Sequence, residues 1–152
     1  MAYYYNLEFL EEYIGKGISL LNTFDYNDRT GEWETNVTGG EEKIHDSLRN
    51  ILSTRVGERF FIPDFGSRLH EVIYEQNDMI AKDLAIQYTE EAIYNWEKRI
   101  EVDYVEIGNI DDDNIVPISI FYHYKNSNVQ GSYVYPFNLS ESGNIETHSF
   151  GV

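Results

Sequence analysis

Apolar residues recur along this chain with two different periods. Tyr3, Leu7, Leu10 and Ile14 fall at helical spacing, and Gly15 is placed to end that helix. Ile18 to Tyr26 then reads as a strand, Asn27 to Gly31 as a turn, and Trp33 to Val37 as a short returning strand. Gly39-Gly40 breaks the chain before Ile44, Leu48, Ile51 and Leu52, which predict an amphipathic helix ending near Arg55, ahead of Gly57. Phe60, Phe61 and Ile62 predict a short extended apolar segment before Pro63. A second helix is expected from Gly66-Ser67, with Ser67 as N-cap and Leu69, Val72 and Ile73 buried. Asn77 or Asp78 can cap a longer helix to about Arg99, with Ile80, Leu84, Tyr88 and Ala92 on one face.

The last third has period two. Val102 and Tyr104 alternate, then Val105 and Ile107 alternate on the opposite phase, which predicts a bulge between them. Ile118, Ile120, Tyr122 and Tyr124 share a face of the next strand, after a turn at Asp111 to Asn114. Val129, Gly131, Tyr133, Tyr135 and Phe137 share a face of the third, after a turn at Asn126 to Asn128. The expected fold is α+β: a single domain with N-terminal helices packed on a C-terminal antiparallel meander. Its expected divisions are a helix-patterned segment at 1–17, the domain at 18–137, and a polar tail at 138–152.

The 152 residues suffice for one core, with 41% hydrophobic and 15% aromatic residues. A formal charge of -16 disfavours nucleic acid and anionic membranes as partners. Arg49, Arg55, Arg59 and Arg68 concentrate in one stretch, either as local ion pairs or as a partner-facing group. No cysteine is present, which removes disulfides, thiolate metal sites and a cysteine nucleophile. Met1 to Tyr5 lacks the features of a secretory signal, so folding in a cytoplasm is expected.

Catalytic patterns fail on inspection. His70-Glu71-Val72-Ile73-Tyr74 begins like a zinc-protease helix but carries Tyr74 where a second histidine must stand. The acidic run at 111–113 lacks the alternating ligands and distal glutamate of a calcium loop. Glu58 and Asp64 are the obvious carboxylate pair for sugar hydrolysis, but Arg55 and Arg59 flank Glu58, and arginine lowers a carboxylate pKa, the wrong direction for a general acid. No cofactor is expected.

The specific stretch is Leu52-Ser53-Thr54-Arg55-Val56-Gly57-Glu58-Arg59, followed by Phe60-Phe61-Ile62-Pro63-Asp64-Phe65-Gly66. It resembles the signature of the baseplate wedge protein W family of contractile phage tails, to which the type VI secretion component TssE is similar. There the pattern is a helix, an L-x-T-x-x-G-E-R turn, a short apolar segment and P-x-F-G. The resemblance spans residues 18–137. A second family signature, Glu-Pro-Arg, is met by Glu97-Lys98-Arg99, with Lys98 in place of proline. From the residues alone, Glu97 and Arg99 read as an exposed salt bridge worth about 0–1 kcal/mol.

The resemblance implies a structural wedge subunit, in several copies per baseplate, that joins wedge core subunits to the tail sheath and starts sheath assembly. It implies wedge-core contacts through Glu97 and Arg99, with Arg55, Glu58 and Arg59 as further candidates, and a larger role for Arg99 in assembly than in folding. The sheet edge at Val129, Tyr133, Val134, Tyr135 and Phe137 is the candidate sheath contact, unless the opposite edge strand serves. The location implied is the virion's tail baseplate. Two rivals remain: a peptidoglycan-cleaving tail lysozyme, the family's older label, and a regulatory binding module, because a bacterial anti-adaptor of stress-factor degradation looks like the same fold.

Overall fold

The computed structural model describes residues 14–19, 24–74, 79–110, 113–125, 127 and 129–139. Tyr3, Leu7 and Leu10 of the expected first helix lie outside them. Ile14 is helical and buried, and Gly15 follows it at φ +82°.

Strands come first, which corrects the expected order of helices before sheet. The stretch read as one strand yields β1 (Lys16–Ile18) and β2 (Phe24–Asn27). The return yields β3 (Glu32–Thr35) and β4 (Val37–Gly39), divided at Asn36. β1 pairs with β4 and β2 with β3, both antiparallel. The reversal is local: the Asn27 carbonyl accepts the Gly31 N–H at 2.8 Å, and its side-chain oxygen accepts the Arg29 N–H at 3.0 Å. Polar alternation over these residues thus pairs with itself and leaves the main sheet to the C-terminus.

Helix α1 (Gly40–Ser53) follows, with Gly40 at φ +59° turning the chain out of β4. Ile44, Leu48, Ile51 and Leu52 are all at most 2% exposed, as their spacing predicts. The helix ends at Ser53, where the Thr54 N–H and hydroxyl both bond the Asn50 carbonyl. Helix α2 (Met79–Trp96) buries Ala81, Ala85, Thr89, Ala92 and Ile93. The predicted stripe is therefore rotated: Ile80 is 64% exposed. Small residues occupy the inward line because they let the helix axis approach the sheet closely.

Strands β5 (Ile100–Ile107), β6 (Ile115–Tyr124) and β7 (Gln130–Asn138) form the predicted meander in the order β5-β6-β7. The register shifts between Val102 and Tyr104, so the predicted bulge is present but lies just ahead of the slip from Tyr104 to Val105 that the pattern marks. Ile118, Ile120, Tyr122 and Tyr124 of β6 and Tyr133, Tyr135 and Phe137 of β7 face the helices and form the core with α1 and α2. Gly131 lies opposite Tyr122, and a Cβ there would meet the tyrosine ring at 2.6 Å. Among the described residues no helix is long and apolar enough to cross a membrane.

Between the helices the chain makes a closed loop over 54–67. The Ser67 N–H bonds Thr54 O at 2.9 Å, and the Gly57 N–H bonds Pro63 O at 2.6 Å. Ser67 is not an N-cap: it is buried, and its hydroxyl donates to Leu52 O, across the loop's neck. The expected second helix is a 3-10 turn, Leu69–Tyr74, in which Leu69 is buried and Val72 partly so. Two glycines in the loop do different work. Gly57, at φ +90°, has open space where a side chain would go. Gly66, at φ +115°, has Thr54 O at 2.3 Å from the place of a Cβ. Gly57→Ala is expected to cost about 1–2 kcal/mol from conformational strain alone. Gly66→Ala should cost more, about 2–4 kcal/mol, because backbone must also move. Urea denaturation of the two variants checks the order.

Candidate functional site

The two stretches that carry the family signature meet at one end of the molecule, and α1 is the platform. Asn50 accepts a hydrogen bond from Arg59 at 2.9 Å. Ser47, one turn earlier, hydrogen-bonds Glu97 just beyond the end of α2. The gap between them is closed by stacking. The Arg59 guanidinium lies 3.9 Å from the Phe65 ring centre, and Phe65 packs on Trp96 at 5.0 Å. The 54–67 loop and the end of α2 are thereby one surface.

Glu97 and Arg99 are not an exposed bridge. Glu97 is 3% exposed and Arg99 31%. The pair is bidentate, with Arg99 Nε to Glu97 Oε1 at 2.7 Å and Nη2 to Oε2 at 2.5 Å. The Arg99 backbone N–H adds a third bond to Oε1 at 3.2 Å, and Nη1 reaches Ile14 O at 3.2 Å. Burial works to raise the Glu97 pKa, but hydrogen bonds from Arg99 and Ser47 outweigh it and hold the carboxyl below the usual range. With no proline at Lys98, α2 ends through this local bonding: Glu97 closes the last turn onto Ile93 O, and its carboxylate then holds Arg99.

The other predicted residues divide clearly. Glu58 closes its own turn, its carboxylate accepting the Arg55 N–H at 2.9 Å. Arg55 pairs with Ser67 through a backbone bridge. Arg68 forms an ion pair with Glu71 at 2.7 Å and lies over Tyr88, while Arg49 reaches the Tyr133 hydroxyl. Of the sheet candidates, Tyr133, Tyr135 and Phe137 point into the core, Val129 is partly buried, and Val134 is 55% exposed. The aromatic trio therefore sets the register within this fold. His70 is a core neighbour, its ring 5.8 Å from Phe137, with its pKa lowered first by burial and then by the charge of Arg55.

Sequence reasoning missed Phe60 and Phe61. Their pattern predicts an extended apolar segment, yet both are 92% exposed at the loop tip, edge to face at 5.4 Å. Two phenylalanines next to Glu58-Arg59 carried no signal of exposure, because an apolar pair reads as core.

The described residues thus present a solvent-facing loop of aromatic and arginine residues on a frame of two helices and a sheet, and comparison with known proteins gives the class of protein to which this fold belongs. The family model for baseplate wedge protein gp25 matches residues 38–129, more than half the chain. The chain belongs to this family, and it is a structural component of the tail baseplate of a contractile injection machine. It is 31% identical over 91 residues to baseplate wedge protein gp25 of Enterobacteria phage T4, spanning 59% of this chain and 69% of that protein. It resembles the crystal structure of a candidate tail lysozyme from Geobacter sulfurreducens (TM-score 0.66, 32% identity, 72% of this chain and all of that one). It shares its fold with a chain of the anti-feeding prophage baseplate (TM-score 0.58, 20% identity, 91% and 94% covered).

Removing one partner of the buried pair leaves an uncompensated charge. Arg99→Ala is therefore expected to destabilise the isolated protein by about 3–5 kcal/mol, not to leave it near native. Acid should act through the same group. Glu97 has a depressed folded pKa, so its stabilisation is present above the ordinary carboxylate value of about 4.3 and is lost as pH falls through the folded value. His70, held neutral in the fold, adds an earlier loss below its unfolded value of about 6.5, where only the unfolded chain gains the proton. Thermal melts against pH should fall in both windows, and Glu97→Gln should flatten the lower one.

Proposed function

We propose that this subunit joins the wedge core to the tail sheath and has no enzymatic activity. The observation that carries the first half is the composite end of the molecule. The 54–67 loop, with Arg55 at its neck, Glu58 and Arg59 beyond it and the exposed phenylalanines at its tip, and the Glu97–Arg99 pair share one frame built on α1. Glu97 and Arg99 act there by holding the end of α2 and the start of β5 in shape, and the partly exposed guanidinium edge of Arg99 meets the wedge partner. Phe60 and Phe61 supply the apolar contact. Replacing both with serine should lower incorporation into wedges by about 30-fold, on the scale of lost aromatic hot spots, while the melting temperature of the isolated protein stays unchanged. Normal incorporation, measured by co-purification with the other wedge proteins, contradicts the docking role of the loop tip.

The sheath half rests on the edge strand β7. Tyr124 N–H bonds Val129 O, and Leu139 N–H bonds Asn114 O. Across the antiparallel ladder these bonds aim the backbone groups of Val129, Gly131, Tyr133, Tyr135 and Phe137 at β6, and those of Ser132 and Val134 away from it. Pro136 sits at another outward position, where its missing N–H costs the ladder nothing. Ser132 and Val134 can thus accept a strand from the sheath protein by β-augmentation. Val134→Pro removes one outward donor without breaking the β6 ladder. Assembled baseplates and tubes lacking sheath are expected by electron microscopy, and full-length sheaths around the folded variant contradict this placement.

The absence of activity is supported by the state of the carboxylates. Glu58 is engaged in its own turn, and Glu97 is held charged by Arg99, the wrong state for a general acid. The likeness to a candidate tail lysozyme makes the opposite outcome worth measuring. Turbidity of a cell-wall suspension should stay flat with purified protein. Clearance abolished by Glu58→Gln would overturn the structural reading.

A further inference from the structure

The β2–β3 hairpin has two unlike faces. The register pairs Phe24 with Thr35 and Tyr26 with Trp33 on one side, and Asp25 with Glu34 and Asn27 with Glu32 on the other. The first face is aromatic and open to solvent: Phe24 is 61% exposed, Tyr26 48% and Trp33 71%. The rings of Tyr26 and Trp33 already pack together, tilted by 59° with centres 5.2 Å apart. The second face is acidic, with Asn27 donating to Glu34 at 2.7 Å. An isolated two-stranded ribbon is marginal in water, and this one hides none of its aromatic side in the described core.

We propose that this hairpin is a docking arm whose aromatic face seats on an apolar, Lys/Arg-rimmed surface of a different baseplate subunit. Three observations select that occupant. Over residues 24–35 four acidic side chains, Asp25, Asp28, Glu32 and Glu34, stand against Arg29 alone; because Asp25, Glu32 and Glu34 lie on the face opposite the rings, the complementary basic groups belong on a raised rim that reaches past the ribbon's edge to that face. A second copy of this chain, itself at -16, would bring like charge to like. An anionic membrane is repelled for the same reason. The three rings present on the order of 400 Å² of surface, about half of one side of a standard interface. That is too little to recruit a subunit alone and enough to orient one already held nearby, where the effective concentration is high. The arm also lies outside residues 38–129, the part matched by the family model. It therefore fits a contact particular to this kind of machine, distinct from the loop tip and from β7.

A photo-crosslinking amino acid in place of Trp33, incorporated in assembled particles, tests the proposal when cross-linked peptides are identified by mass spectrometry. The expected product joins position 33 to another baseplate subunit, at an apolar segment flanked by lysine or arginine. Products within the same chain, between two copies of it, or none at all would overturn it. In parallel, Tyr26→Ser with Trp33→Ser should reduce wedge incorporation by about tenfold, with the isolated protein's melting temperature unchanged. Normal incorporation, or loss of folding because the rings pack on this chain's own body, refutes the arm. Glu32→Lys with Glu34→Lys leaves the aromatic face intact and should weaken incorporation through charge. Unchanged incorporation of that variant removes the basic rim and with it the proposed partner. Sheath length on the particles that do form should be normal, which separates this contact from the β7 edge.

Discussion

The carboxylate of Glu97 is the constraint on which the end of the molecule that carries the 54–67 loop depends. It is buried, and a buried charge survives only where several donors satisfy it. Here one donor comes from a distant part of the chain, Ser47 in α1, and the others from the side chain and backbone of Arg99, two residues on and just ahead of β5. Arg99 in turn holds Ile14 O, at the start of the described chain. One ion pair therefore ties the start of the described chain, both helices and the sheet at a single point. Burial of charge offsets much of its net energy, but removing either partner strands the other.

That arrangement turns a helix into a platform. Ser47 and Asn50 lie three residues apart on α1, so they project from the same side and address Glu97 and Arg59 together. Phe65 and Trp96 fill the space between. The loop they hold has its neck closed by backbone bonds, so its tip can carry two exposed phenylalanines without collapsing onto the core. The opposite edge of the fold is simpler. β7 buries its aromatic side chains against the helices and leaves alternate backbone groups turned outward, so one strand serves core and edge at once.

What was legible in the sequence follows from side-chain size and period. Ile44, Leu48, Ile51 and Leu52 are large and regularly spaced, and they bury as read. The opposite phases of Val102/Tyr104 and Val105/Ile107 mark a real bulge, because a period of two cannot slip without an extra residue. The inward face of α2 was misplaced, since Ala81, Ala85 and Thr89 are too small to dominate a pattern beside Ile80 and Tyr88. Ser67 obeyed a rule for helix starts in letter only; its hydroxyl was needed across the loop neck. The signature residues of the candidate site were legible as a group. Their burial was not, because two charges near a helix end look alike whether solvent or Ser47 satisfies them.

The proposed function rests on surfaces held by a frame. Cryo-EM of the assembled particle is the most direct measurement of that claim. The predicted map has a neighbouring baseplate subunit seated on Phe60 and Phe61 and extending to the guanidinium edge of Arg99. A map in which the loop tip and the end of α2 stand bare in solvent would contradict it.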